Sequence, residues 1–172
     1  MQVVLAPGAS GDATTLQPFV AGLLARGIDA RAIDIPKRRA EAAVDSYLER
    51  SGQGIDTVIG GQSYGGRVAS LAAARPDTDL GGLILLSYPL QAPGKRDQPP
   101  RTEHWAHIRC PVLFLSGRSD PLAPIGSLER AIADRLPGAT LHTWPRMGHW
   151  LGAVADEVIE RMADFVAGLG HR

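Results

Sequence analysis

The chain has 172 residues, enough for one enzyme domain with a substantial core but few for two, so we predict a single domain over residues 1–172. Its 18 basic and 18 acidic residues leave no net charge, and no apolar run approaches the roughly 18 residues of a membrane span, so neither nucleic acid nor a membrane is a predicted partner. The N-terminus has no basic leader and Cys110 is the single cysteine, which together predict a cytoplasmic protein without an internal disulfide.

Short apolar runs alternate along the chain with longer helix-like segments. Runs such as "LILLS" and "VLFLS" lack polar alternation, which is typical of strands covered on both faces. We therefore predict an α/β fold with six mostly parallel strands and helices on both faces. The predicted strands are Val3–Leu5, Ala30–Ile35, Thr57–Gly60, Leu83–Ser87, Val112–Ser116 and Thr140–Trp144, and the predicted helices are Thr14–Arg26, Arg39–Ser51, Tyr64–Arg75, Ile125–Leu136 and Ala153–Leu169.

The interval Pro89–Pro111 is proline-rich, polar and without a clear period. It predicts an irregular loop with one short helical turn, too short for a helical cap. Loops of this length in compact domains either cover a functional site or serve as flexible connections, and both interpretations stay open for residues 89–109.

A serine lies between glycines in "GGQSYGG", where a predicted strand meets a predicted helix. Gly61 to Gly65 fit the pattern G-x-S-x-G, in which the serine is a nucleophile on a strained strand-to-helix bend. Small flanking residues avoid clashes at such a bend, and the N–H of Tyr64 at the helix start is a predicted oxyanion donor. The alternative is a glycine-rich turn without chemistry.

An acid and a histidine follow the last two predicted strands. A serine hydroxyl needs a base, and the base needs a carboxylate to orient it. Asp120 and His149 stand at strand exits on the same edge as Ser63, so we predict these three as the catalytic residues. The alternatives are that Asp120 caps the following helix and that His149 is structural. The other histidines are less suitably placed: His104, His107, His142 and His171.

A glycine-rich loop, "APGASGD", follows the first predicted strand. The N–H of Ala9 is the predicted second oxyanion donor, with Ser10 as the next choice. A phosphate-binding loop is the competing interpretation, but the segment lacks the lysine and the spacing of a Walker motif.

The segments "VLAPGASGD", "GGQSYGG", "PVLFLSGRSDPLA" and "RMGHW", in this order, resemble the α/β-hydrolase superfamily over nearly the whole chain. The closest resemblance is to a small capless branch that includes dienelactone-hydrolase-like and testis-expressed hydrolase-like proteins. It implies a three-layer core without a cap, with strand order 2-1-3-4-5-6. It also implies Ser63 as nucleophile, His149 as base and Asp120 as the orienting acid. Pro7-Gly8 departs from the histidine-glycine pair that often opens the oxyanion loop, which leaves the support of that loop open.

The predicted function is hydrolysis of a small-molecule carboxylic ester through an acyl-enzyme, by a monomer or homodimer without cofactor or metal. The alternatives are a silent hydrolase-like binding or scaffold protein, and an acyltransferase or perhydrolase with the same triad. Residues predicted to contact substrate are Ser10, Tyr88, Leu90, Trp105 and Trp150, although the aromatic ones are equally suited to packing the loop.

Two further features bear on the site. Lys37, Arg38 and Arg39 leave the second strand at the predicted active edge, where they either start a solvated helix or bind an anionic group. Cys110 precedes a strand at the opposite edge, so it is predicted to be a small buried side chain and not a nucleophile.

Overall fold

The computed structural model describes residues 1–95 and 98–170, so residues 96 and 97 of the predicted loop and His171 lie outside the described residues. The strands are β1 Gln2–Ala6, β2 Asp29–Ala32, β3 Gly54–Gln62, β4 Leu80–Leu86, β5 Val112–Gly117 and β6 Thr140–Trp144. The α-helices are α1 Gln17–Leu24, α2 Ala40–Ser51, α3 Tyr64–Ala73, α4 Ile125–Arg135 and α5 Ala155–Leu169. Short 3-10 helices occupy Ala13–Leu16, Trp105–His107 and Gly152–Val154. None of the helices in the described part is both long and apolar enough to cross a bilayer.

All six strands form one sheet in the order β2-β1-β3-β4-β5-β6. Every neighbouring pair is parallel. The predicted fold class and strand order are therefore confirmed. Because the strands are parallel, the loops after their carboxyl ends meet at one edge of the sheet.

Helices cover both faces of the sheet. In β1, Val3 and Leu5 join a buried cluster with side chains of α1 and α5, whereas Val4 and Ala6 join a second cluster with α2, α3 and α4. Alternate strand residues point to opposite faces, so both sets are buried. This arrangement explains why the strand sequences lack polar alternation.

Several element boundaries differ from the predicted ones. β4 begins at Leu80, ahead of the predicted Leu83, since Gly81 and Gly82 take part in the strand. The first predicted helix divides, with a 3-10 turn capped by the Asp12 side chain before α1. Pro18 lies in the first turn of α1, where a missing N–H costs nothing, and this explains where the α-helix starts.

The loop between β4 and β5 packs three of the predicted substrate-contacting residues into the core. Tyr88, Leu90 and Trp105 are at most 1% exposed. The Trp105 ring lies 5.1 Å, centroid to centroid, from both Tyr88 and Phe114. The prediction that these three residues contact substrate is therefore wrong, because their side chains close the apolar cluster beneath the loop. Between β4 and β5, the only helix in the described residues is the predicted short turn, Trp105–His107.

Candidate active site

Ser63 lies at a sharp bend between β3 and α3. Its φ of 51° and ψ of −112° fall in a region that residues other than glycine rarely adopt. The Ser63 N–H donates to the carbonyl of Leu86, 2.9 Å away, which holds the bend against β4. The strand-serine-helix context expected for the motif is therefore present.

The glycines around Ser63 allow the bend to touch the end of β1. A Cβ atom added to Gly61 or Gly65 would overlap the carbonyl oxygen of Ala6. Backbone atoms cannot yield as a flexible side chain does, so larger residues would displace the bend or the strand. This close approach brings the loop after β1 next to Ser63.

His149 links the serine to a buried acid. Its Nε2 lies 2.8 Å from Ser63 Oγ, and its Nδ1 lies 2.8 Å from Asp120 Oδ2. Asp120 is 2% exposed, and its second oxygen accepts the N–H of Leu122 at 2.8 Å. The carboxylate is thus fixed on both oxygens, and the histidine side chain, 27% exposed, can be reached from solvent.

The loops that carry Asp120 and His149 are joined to each other. Gly117 ends β5, and a Cβ there would overlap the carbonyl oxygens of Met147 and Gly148. The Ser119 N–H donates to the Met147 carbonyl at 2.9 Å. The alternative role of Asp120 as the cap of α4 is not observed, since Pro124 occupies the N-cap position.

The glycine-rich loop after β1 turns beside Ser63. The Gly8 carbonyl accepts the Gly11 N–H at 3.2 Å and the Lys37 ammonium at 2.6 Å, and Ala9 at the turn is exposed. Partial burial lowers the pKa of Lys37, and the carboxylates of Asp34 and Asp12 act in the opposite direction. Lys37 is therefore engaged by the chain itself.

Tyr64, the first residue of α3, is tied to the segment after β2. Its hydroxyl lies 2.7 Å from the Pro36 carbonyl and 2.8 Å from the Arg38 carbonyl, and it accepts the Arg38 N–H at 3.2 Å. The Lys37 ammonium lies 5.6 Å from the centroid of the Tyr64 ring. The side chains of Arg38 and Arg39 are exposed.

Residues 2–151 match a family model described as an alpha/beta hydrolase domain. The chain belongs to the alpha/beta hydrolase family. The assignment agrees with the strand order and with the order serine, aspartate, histidine along this hydrolase domain. Its predicted place in the dienelactone-hydrolase-like branch stays a prediction.

Three known proteins are similar to this hydrolase domain. The "Putative carbamate hydrolase RutD" of Caulobacter sp. (strain K31) is 40% identical over 62 residues, which cover 36% of this chain and 23% of that protein. The "Putative non-heme bromoperoxidase BpoC" of Mycobacterium tuberculosis H37Rv has a TM-score of 0.82 at 16% identity, covering 98% of this chain and 92% of that one. A monoacylglycerol lipase of Paleococcus ferrophilus has a TM-score of 0.77 at 17% identity, covering 98% and 94%. At these identities the two structures share the fold.

An open depression of about 370 Å³ adjoins His149 in this hydrolase domain. Trp150 is 47% exposed there and meets Phe19 edge-on, with ring centroids 5.9 Å apart. Sequence reasoning missed Thr15 and Gln62, although Gln62 directly precedes Ser63 at the same sheet edge. The lining residues are Gly8, Ser10, Gly11, Thr15, Gln62, His149 and Trp150.

A second serine–histidine pair lies beneath the loop after β4. Ser70 Oγ is 2.8 Å from His104 Nε2, and it also lies 2.8 Å from the Arg67 carbonyl, to which it donates. Ser70 is fully buried. Burial, reinforced by the nearby Arg67 charge, lowers the pKa of His104 to about 4. Within the described part of this hydrolase domain, His104 makes no hydrogen bond to a carboxylate.

Cys110 lies at the opposite edge of the sheet, two residues before β5. Burial raises the pKa of its thiol to about 11. The thiolate is the reactive form, so this position does not favour nucleophilic chemistry.

Proposed function

We propose that this hydrolase domain is a serine hydrolase that cleaves small carboxylic esters through an acyl-enzyme. The observation that carries the proposal is the chain of two 2.8 Å contacts from Ser63 Oγ through His149 to Asp120. A base within hydrogen-bonding distance of the nucleophile, itself oriented by a third group, is the arrangement that activates serine.

In the first half of the proposed reaction, Ser63 Oγ attacks the ester carbonyl carbon and passes its proton to His149 Nε2. The carbonyl oxygen becomes negative and accepts the N–H groups of Ala9 and Tyr64. Asp120, hydrogen-bonded to His149 Nδ1, stabilises the charged imidazolium. The bond to the alkoxy oxygen then breaks, and the alcohol leaves with the proton from His149.

In the second half, water attacks the acyl-serine ester and His149 takes a proton from it. Breakdown of the tetrahedral intermediate releases the carboxylic acid and returns the proton to Ser63. The depression beside His149 is the proposed substrate site, where Ser10 and Trp150 contact the ester. Because this depression is open, we expect small esters to enter it without movement of a cap.

The test is labelling of the full chain by a fluorophosphonate probe, together with turnover of an activated ester. We expect the probe to modify Ser63, and Ser63→Ala to lower kcat by about 10⁴-fold or more. Ser70→Ala is the matched control, since Ser70 has its own histidine at the same distance, and it should keep wild-type turnover.

Wild-type turnover by Ser63→Ala would overturn the assignment of the nucleophile. A folded wild-type chain that neither reacts with the probe nor cleaves any ester of a broad panel would instead favour the silent binding protein. Circular dichroism of each variant shows that the comparison is made between folded chains.

A further inference from the structure

The peptide group between Gly8 and Ala9 is fixed by two hydrogen bonds to its carbonyl oxygen. Its carbonyl oxygen accepts the Lys37 ammonium at 2.6 Å and the Gly11 N–H at 3.2 Å. Its N–H, on Ala9, is the proposed oxyanion donor. Because a peptide group is planar and trans, the direction of the carbonyl fixes the direction of the N–H.

We propose that Lys37 is a positioning residue that aims and polarises the Gly8–Ala9 peptide of the oxyanion hole. The inference rests on the proposed function, because it assigns Lys37 a part in that reaction. A hydrogen bond from an ammonium to a carbonyl is charge-assisted, and it draws electron density away from the N–H of the same peptide. The N–H therefore becomes a better donor to a developing negative charge.

The turn depends on contacts from outside it because its own residues supply few packing contacts and hydrogen bonds. Ala9 and Ser10 are exposed, and Pro7 has no N–H to donate. Besides the Gly11 bond, Lys37 provides the second contact to the Gly8 carbonyl. Asp34, from the same segment as Lys37, accepts the Ala13 N–H at 2.9 Å and holds the far end of the loop.

The segment that carries Lys37 also holds the residue of the second proposed donor. The Tyr64 hydroxyl contacts the carbonyls of Pro36 and Arg38, on either side of Lys37. The Lys37 ammonium lies 5.6 Å from the Tyr64 ring centroid. Three consecutive residues thus connect the Gly8–Ala9 peptide to Tyr64, which keeps the two proposed N–H donors in a fixed relation.

A positioning role and a merely structural role have different kinetic signatures. The oxyanion forms in the transition state and not in bound substrate, so weakening its donors lowers kcat and leaves KM nearly unchanged. A lysine that only braces a surface loop would affect the free energy of unfolding, or KM through the shape of the cleft.

The experiment compares Lys37→Met, Lys37→Gln and Lys37→Arg in the full chain with an uncharged activated ester. We expect Lys37→Met to lower kcat by about 10- to 100-fold, less than the loss of a whole donor, with KM within about twofold. Lys37→Gln, a neutral donor, should be intermediate, and Lys37→Arg should recover most of the kcat. Arg26→Met is the control, since Arg26 also donates to a backbone carbonyl, that of Gly22 at 3.0 Å, away from Ser63.

Folded Lys37→Met or Lys37→Gln with wild-type kcat would overturn the inference, as would a loss confined to KM. If Lys37→Met does not fold, the comparison of Lys37→Gln with Lys37→Arg decides. The two proposals fail differently. Absence of Ser63-dependent turnover in the wild type contradicts the proposed function, whereas Ser63-dependent turnover unaffected at Lys37 contradicts only the role of Lys37.

Discussion

The described residues include two serine–histidine pairs with the same 2.8 Å separation, in very different surroundings. Ser63 stands at a strained bend on the sheet edge, and its histidine is partly exposed and bonded to Asp120. Ser70 is inside α3 and fully buried, and its histidine has a pKa lowered to about 4. A short serine–histidine contact is therefore not evidence of a nucleophile by itself.

The two pairs differ in the hydrogen bonds that each serine and histidine makes, and in the charges around them, before substrate binds. The Ser70 proton is already donated to the Arg67 carbonyl, so His104 is not positioned to receive it. Burial and Arg67 also disfavour the imidazolium that proton transfer would create at His104. His149 Nδ1, in contrast, lies 2.8 Å from a carboxylate oxygen of Asp120.

The largest effect that sharpens this comparison is expected from Asp120→Asn. An amide at this position removes the negative charge and disturbs the tautomer of His149, so we expect kcat for an activated ester to fall by about 10⁴-fold. The matched control is Glu103→Gln, which removes the carboxylate whose charge acts on His104 and should leave kcat unchanged.

Thermal unfolding of Asp120→Asn separates a catalytic effect from a folding defect, since Asp120 also accepts the Leu122 N–H. A folded Asp120→Asn variant within tenfold of wild-type kcat would remove the main distinction between the two pairs. Equal losses in both variants would point to a general effect of removing a negative charge.

That Ser63, Asp120 and His149 lie together can be predicted from the sequence because the evidence for it is topological. Ser63, Asp120 and His149 follow strands of a parallel sheet, and such strands end at one edge whatever the side-chain packing. The apolar runs and the punctuating glycines and prolines are enough to establish those strands, and strand ends need to be correct only to within a few residues.

Side-chain burial in the long loop is not predictable in the same way. Trp105 and Trp150 are both predicted from the sequence to contact substrate, yet the first is fully buried and the second is 47% exposed. Trp105 is buried by packing against Phe114 in β5, a contact between the loop and the sheet that no local sequence pattern indicates. The contact from Lys37 to the Gly8 carbonyl spans 29 residues, and a run of basic residues before a helix gives no local sign of it.

The buried pair of Ser70 and His104 is expected to make the stability of the fold depend on pH in acidic solution. The pKa of His104 falls from 6.5 to about 4 on folding, so between these values the unfolded chain binds more protons than the folded one. His104 should therefore lower the free energy of unfolding as pH falls from about 6.5 towards 4, by up to about 3 kcal/mol.

The measurement is denaturant unfolding at several pH values for the wild type and for His104→Gln, which does not titrate. Subtracting the unfolding free energy of the variant from that of the wild type at each pH removes the contributions of the acidic groups and of His142, which both chains contain. We expect the wild type to lose more stability than the variant below pH 6.5. Above pH 6.5 the two curves of unfolding free energy against pH should run parallel. Parallel curves throughout would mean that His104 can be protonated without disturbing the fold.

The smallest effect is expected from Ser70→Ala, as a change in the free energy of unfolding and not in ester turnover. The substitution removes the partner of His104 Nε2, and a buried polar group without a partner costs about 1 to 2 kcal/mol. In a double-mutant cycle with His104→Gln, most of this cost should appear as coupling between the two positions. Additive effects would show that the 2.8 Å contact contributes nothing to folding. A tenfold fall in ester turnover by Ser70→Ala would instead mean that the buried pair acts on the chemistry at Ser63, contrary to the distinction drawn between the two pairs.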